Sequence, residues 1–238
     1  MKRTYITLLV TFLFASLATD SYAQFVVAQD TIRGQIYFSQ RPGDFNNSII
    51  VPNDSVFYMF PPDKEIDPWR YVDFYLPSRT TKRGYIQETR LMRVDDYEIV
   101  EVERLSSHGS VSFKNDDVRI QITVANISDK DPSIKKHTDG GYVVNGKQAK
   151  GVNKWQVPKL RYQSISVTIK GKVIIFPKRV YEHLLNPELE NMVVYYNPEK
   201  GIIYINANNG GMSAPYNVLW AVSQKGVSSP YIFDISTK

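Results

Sequence analysis

Alternating apolar and polar positions are the clearest pattern along this chain. At residues 118–124 every second position is Val or Ile, and Arg, Gln and Thr lie between them. A period of two residues places the apolar side chains on one face of an extended strand. Residues 164–169 alternate in the same way and are followed by a Lys-Gly turn at 170–171 and an apolar run at 173–176. This second pattern predicts a β-hairpin, because glycine readily adopts the positive φ that a two-residue turn needs.

The remaining apolar runs predict a mainly β protein. Further strands are predicted at 35–38, 55–60, 71–76, 97–105, 192–196, 202–206, 218–223 and 231–235. Only residues 178–185 have the pattern of a helix, since Pro177 suits a first turn and Val180 and Leu184 share one helical face. One short helix among many strands indicates antiparallel sheets. The polar segment 128–153 is too long for a plain loop, and we expect it to hold a short hairpin or to form a mobile flap.

The first 23 residues have the pattern of a cleavable secretion signal. A Lys-Arg pair at 2–3 precedes a mostly apolar stretch at 6–18, and small residues at Ser21 and Ala23 fit a signal peptidase site. The apolar stretch is shorter than the roughly 20 residues that a helix needs to cross a bilayer. We therefore expect cleavage after Ala23, a mature chain that starts at Gln24 without a transmembrane segment, and a periplasmic or secreted location.

Composition excludes several classes of protein. The chain has no cysteine, so it carries no disulfide, thiolate metal site, thiol nucleophile or lipidated cysteine. Its 29 Lys and Arg residues are interleaved with 24 Asp and Glu residues rather than clustered. Nucleic-acid binding requires a basic stripe, which is absent here, and no nucleic-acid partner is predicted.

No catalytic residue, metal site or cofactor is predicted from the motifs. The three histidines, His108, His137 and His183, lie far apart and match no ligand spacing, and no nucleophile elbow is present. Adjacent aspartates at 95–96 and 116–117 are candidates for a glycosidase acid pair or for calcium ligands. Neighbouring acids on a strand point to opposite faces, and we therefore interpret them as turn residues.

A cluster of aromatic residues is the candidate binding site. Trp69, Tyr71, Tyr75 and Tyr85 lie within one short segment, and aromatic platforms on β domains hold sugars or peptides. The alternative is that these rings pack in the core, which applies most to Trp69 and Tyr85.

Part of the same segment resembles a known family. Trp69-Arg70-Tyr71-Val72, Gly84-Tyr85-Ile86 and Arg90-Leu91 resemble the closing strands of bacterial SH3-like domains. The opening half of that family is replaced here by residues 55–60. The resemblance implies a partial SH3-like barrel at 24–93 that binds cell-wall peptide or glycan.

The rest of the chain, 94–238, is similar to an uncharacterised β-rich module of secreted Bacteroidota proteins. The similarity is carried by Val144-Asn145-Gly146-Lys147, Pro158-Lys159, residues 164–167, Pro177, Tyr181, Leu184, residues 191–196, Ile203-Tyr204-Ile205 and Val218-Leu219-Trp220. This resemblance implies a β-rich C-terminal domain and an exported protein, and it implies no activity.

Three functions remain open from the sequence. The first is a non-enzymatic envelope or secreted binding protein, whose partner is cell-wall peptide or glycan or another envelope protein. The second is a hydrolase acting on glycan or peptide through acidic residues. The third is an interaction protein that inhibits another protein, as immunity factors do.

Overall fold

The computed structural model describes residues 24–30, 36–76, 80–128 and 130–235. The predicted leader at 1–23 lies outside the described residues, as does position 35 of the predicted strand 35–38. The described chain is mainly β, as the alternating pattern predicts, and its sheets are antiparallel and open.

The N-terminal sheet contains five strands in the order β6-β5-β4-β1-β7. They are β1 (Gln24–Ala28), β4 (Val56–Met59), β5 (Trp69–Tyr75), β6 (Thr81–Gln87) and β7 (Leu91–Arg93). A separate hairpin of β2 (Ile36–Phe38) and β3 (Ile49–Val51) covers one face of this sheet.

Two further sheets follow. The central sheet contains β8 (Glu98–Ile99), β17 (Met192–Asn197), β18 (Ile202–Asn209), β19 (Tyr216–Ser223), β20 (Gly226–Val227) and β21 (Tyr231–Asp234). The outer sheet contains β9 (Val102–Ser106), β10 (Ser110–Lys114), β11 (Val118–Asn126), β15 (Leu160–Ile169) and β16 (Lys172–Ile175). In the central sheet, β20 and β21 both pair with β19.

The hairpin and the three sheets stack as four layers. Alternate residues of β1 point to opposite sides, so that Val26 packs under the hairpin and Phe25 packs against the central sheet. The largest apolar cluster fills the space between the central and outer sheets and includes Ile120, Val167 and Trp220. Because the N-terminal and central sheets are covered on both faces, their middle strands are buried almost continuously, whereas the outer sheet alternates.

The hairpin predicted at residues 164–176 is confirmed. Strands β15 and β16 form the expected hairpin, and Lys170 and Gly171 adopt φ values of 47° and 82°, as a type I′ turn requires. Strands β17 and β18 are likewise joined as a hairpin through residues 198–201.

The segment 128–153 holds a small sheet, here called the flap. Its strands are β12 (Ile134–Lys136), β13 (Tyr142–Val144) and β14 (Lys147–Gln148). The flap packs on the rest of the protein through Val144, Ala149 and Leu185. The expected hairpin is therefore present.

The predicted helix at 178–185 is wrong. Only Lys178–Val180 forms a single 3₁₀ turn, and Leu184 and Leu185 instead make β-bridges with Lys150 and Arg161. Val180 and Leu184 are both buried in the large core, so their spacing reflects tertiary packing. The other 3₁₀ turns are Lys64–Ile66, Glu88–Arg90, Val94–Asp96 and Leu189–Asn191. Within the described ranges no helix is long and apolar enough to cross a membrane.

Candidate functional site

Two of the four predicted aromatic residues lie side by side at the surface. Tyr71 on β5 is directly opposite Tyr85 on β6, and their ring centroids are 5.1 Å apart. Tyr71 also contacts Phe60, at 5.3 Å, and the guanidinium of Arg83 lies over the Phe60 ring. These rings are half-buried, and they form a small aromatic surface at the edge of the N-terminal sheet.

Trp69 contacts a different set of rings. Its centroid is 5.8 Å from that of Phe45, which is 52% exposed and lies in the loop between β2 and β3. Phe45 in turn contacts Tyr37 at 5.7 Å. Trp69 therefore packs against the covering hairpin.

Tyr75 lies between the N-terminal and central sheets. Its ring packs against Phe25 and Tyr231, and its hydroxyl donates a 3.1 Å hydrogen bond to the backbone carbonyl of Ile232. Burial, followed by the nearby carboxylate of Asp73, raises the pKa of Tyr75 well above its ordinary value of 10. The phenol is therefore neutral, and it acts through packing and hydrogen bonding.

Tyr75 also lines a groove of about 610 Å³ where the N-terminal sheet meets the flap and the end of the central sheet. We call it the junction groove, and define it by Asp54, Tyr75, Lys147, Arg179, His183 and Tyr231. Its walls include Leu76, Pro230 and Ile232, so that apolar surface surrounds a few polar groups. Its volume lies within the roughly 300–1,000 Å³ typical of pockets for small ligands.

Cations predominate in the junction groove. The only acidic side chain among its described lining residues, Asp54, accepts a 2.6 Å hydrogen bond from Lys200. The ammonium of Lys147 donates to the Arg179 carbonyl and lies 3.9 Å from the Glu182 carboxylate. Arg179 is exposed and contributes a further positive charge.

One aspartate of each pair considered as acids lies beside a cation. Asp95 pairs with Arg93, and Asp117 lies 3.6 Å from Lys170. Neither residue lines the junction groove. Among the described residues no three His, Asp or Glu side chains are grouped so as to hold a metal ion.

A second pair of acids was not expected from the sequence. Asp73 and Asp234 line the same depression of about 300 Å³, beside Tyr75. Asp73 is 5% exposed and accepts a 2.9 Å hydrogen bond from Arg83, while Asp234 lies 2.5 Å from the ammonium of Lys150. Burial raises the pKa of Asp73 despite Arg83, which lowers it.

Most of the junction groove could not be found from the sequence. Lys147 comes from the flap, Arg179 and His183 from the segment predicted as a helix, and Tyr231 from the last strand. His183 is only 8% exposed and does not lie on a helix. Only Tyr75 carried a sequence signal, through its neighbouring aromatic residues.

Comparison of the chain with protein-family models, curated proteins and solved structures found no match.

Proposed function

We propose that this chain is an exported, non-enzymatic binding protein that holds a cell-wall component in the junction groove. The observation that carries the proposal is the groove itself, which combines apolar and aromatic walls with an excess of cations. A concave site of this kind, with a few placed polar groups, is the usual form of a ligand pocket.

Other features support binding rather than catalysis. Asp54, the one acid among the described lining residues, is held by Lys200, and the sequence contains no recognised nucleophile motif. The SH3-like resemblance of the segment from Trp69 to Leu91 favours a cell-wall ligand, and the predicted leader favours export. We keep protein ligands of the envelope as the alternative partner.

The experiment is co-sedimentation of the mature protein with purified peptidoglycan. Ser229 is exposed and lines the groove, so Ser229→Trp should occlude the site without disturbing the core. Ser107→Trp places the same side chain on an exposed turn of the outer sheet and serves as the matched control. We expect the wild type and Ser107→Trp to sediment with peptidoglycan and Ser229→Trp to remain in the supernatant. Absence of retention of the wild type would exclude a cell-wall ligand.

A hydrolase acting on glycan or peptide is the second candidate, favoured by Asp73 and Asp234. A buried carboxyl with a raised pKa beside an ion-paired carboxylate is the arrangement of a general acid and its partner. We rank it second because each carboxylate already pairs with a cation. Release of soluble fragments from peptidoglycan by the wild type, abolished in Asp73→Asn and Asp234→Asn, would reverse this order.

A further inference from the structure

Arg179 is a cation without a partner among the residues that the structure describes. It belongs to the 3₁₀ turn Lys178–Val180, its side chain is exposed, and its guanidinium makes no ion pair or hydrogen bond with any described side chain. Nearby cations differ in this respect, since Lys147 and Lys200 each lie beside a carboxylate. The charge of Arg179 is therefore available to a ligand in the groove.

The backbone carbonyl of Arg179 holds a second cation at the same turn. It accepts a hydrogen bond from the ammonium of Lys147, which fixes β14 of the flap against the turn. Glu182 offsets part of the Lys147 charge at 3.9 Å and is itself held by the side-chain amide of Asn145. Asp54 is paired with Lys200, so the lining as a whole keeps a net positive charge.

The walls beside these cations suit an extended chain with apolar substituents. Tyr231 packs edge-on against Tyr75, and Leu76 and Ile232 continue the apolar lining. Aromatic and aliphatic walls provide contact area, and polar groups at one end orient the ligand.

We infer that the junction groove recognises an acidic peptide through a carboxylate group that pairs with Arg179. This inference rests on the proposed function and names the chemistry of its ligand. A planar guanidinium matches the two oxygens of a carboxylate in a bidentate pair. A lining with one guanidinium that no described side chain pairs, and one ammonium that Glu182 already partly neutralises, suits a singly charged carboxylate better than a phosphate. Neutral N-acetylated glycan would leave the Arg179 charge unpaired.

The test is isothermal titration calorimetry of the mature chain with defined probes. The acidic probes are a cell-wall stem tetrapeptide with free carboxylates and an unrelated linear peptide rich in glutamate, which together distinguish wall peptide from a protein tail. The matched neutral probe is the stem tetrapeptide with its carboxylates amidated. Inorganic phosphate tests whether the groove binds a different anion, and an N-acetylglucosamine tetramer tests whether it binds neutral glycan.

The variants are Arg179→Gln and, as the matched control, Lys178→Gln, which removes an exposed neighbouring cation that does not line the groove. Arg179→Gln should weaken binding of the stem tetrapeptide by about tenfold, as amidation of the peptide should, while Lys178→Gln should bind like the wild type. Tighter binding of the glutamate-rich peptide than of the stem tetrapeptide, weakened to the same extent by Arg179→Gln, would support the inference. It would indicate that the natural ligand is an acidic protein tail.

Four results would overturn the inference. Equal binding of free and amidated tetrapeptides, or binding of the glycan alone, would contradict carboxylate recognition and leave the binding function intact. If millimolar phosphate displaced the stem tetrapeptide from the junction groove, the Arg179 guanidinium would be a site for phosphate and not for a carboxylate. If no probe binds and the protein also fails to sediment with peptidoglycan, the proposed function fails together with the inference.

Discussion

The hydroxyl of Tyr75 donates a hydrogen bond to the backbone carbonyl of Ile232, 3.1 Å away and 157 positions later in the chain. The bond joins the N-terminal sheet to the last strand of the central sheet. Both residues also line the junction groove. The shape of the groove therefore depends on how these two layers pack.

Removing this hydrogen bond should cost little compared with removing the ring. Tyr75→Phe should lower the free energy of unfolding by about 0.5–1.5 kcal/mol, because one buried hydrogen bond is lost. Tyr75→Ala should lower it by about 3–5 kcal/mol, since the packing against Phe25 and Tyr231 is lost as well. Urea denaturation measures both. Tyr85→Phe is the control, because the Tyr85 hydroxyl, on the same sheet, makes no hydrogen bond to a described residue, and its free energy of unfolding should stay close to that of the wild type. An equal loss of stability in Tyr75→Phe and Tyr85→Phe would contradict the hydrogen bond from Tyr75 to Ile232.

We predict that the layers unfold as one cooperative unit. The rings of Tyr58 in β4 and Phe233 in β21 stack with centroids 3.6 Å apart, and residues on both sides of position 94 share the same core cluster. Urea transitions followed by far-ultraviolet circular dichroism and by tryptophan fluorescence should therefore coincide. Phe233→Ala should shift both together. Two separated transitions would instead support 24–93 and 94–238 as independent domains.

A side chain at Gly84 should lower stability, because the covering hairpin lies against its backbone. A Cβ at this position would lie 2.4 Å from the carbonyl oxygen of Ser39 and 2.6 Å from the ring of Phe38. We expect Gly84→Ala to reduce the free energy of unfolding by about 1–3 kcal/mol through overpacking. Gly141→Ala is the matched control, since its Cβ would meet only the side chain of Asp139. Equal free energies of unfolding for Gly84→Ala and Gly141→Ala would show that the β2–β3 hairpin does not pack closely against β6.

The carboxyl of Asp73 should make stability depend on pH. Burial raises its folded-state pKa above the ordinary 3.8, so the folded protein binds this proton more tightly than the unfolded chain does. The contribution of Asp73 to stability is therefore present below pH 3.8 and is lost as pH rises through the raised pKa. Relative to Asp73→Asn, the wild type should lose stability across that range in urea denaturation.

The neighbouring guanidinium gives a reciprocal test of the same titration. Arg83 donates to Asp73 and lowers the pKa of that carboxyl. Arg83→Gln should therefore extend the loss of stability to higher pH than in the wild type. If the free energy of unfolding varied with pH in the same way in the wild type, Asp73→Asn and Arg83→Gln, the burial of the Asp73 carboxyl would be contradicted.

The sequence predicts β11 and the β15–β16 hairpin of the outer sheet best, for a physical reason, whereas it misses β10 of the same sheet. One face of β11 meets solvent, so its residues alternate, and the period of two is visible. Strand β1 was missed because Phe25, Val26 and Val27 are buried on both faces, and a continuous apolar run that follows a leader has no strand-specific period. Residues 178–185 mimic a helix because Val180 and Leu184 are buried by separate contacts.

The junction groove could be predicted only in part. Tyr75 was identified because aromatic residues cluster around it in the sequence. Arg179 and Tyr231 gave no comparable signal, since their common position results from the stacking of the flap, the N-terminal sheet and the central sheet. Contacts of this kind depend on tertiary packing, which local periodicity does not encode.

Binding in the junction groove is tested by amide chemical-shift mapping of ¹⁵N-labelled residues 24–238 with soluble peptidoglycan fragments. We expect perturbations concentrated around Tyr75, Arg179, His183 and Tyr231, and their loss in Ser229→Trp. Perturbations confined to the surface of Tyr71, Tyr85 and Phe60, or none at millimolar fragment concentration, would contradict a ligand site in the junction groove.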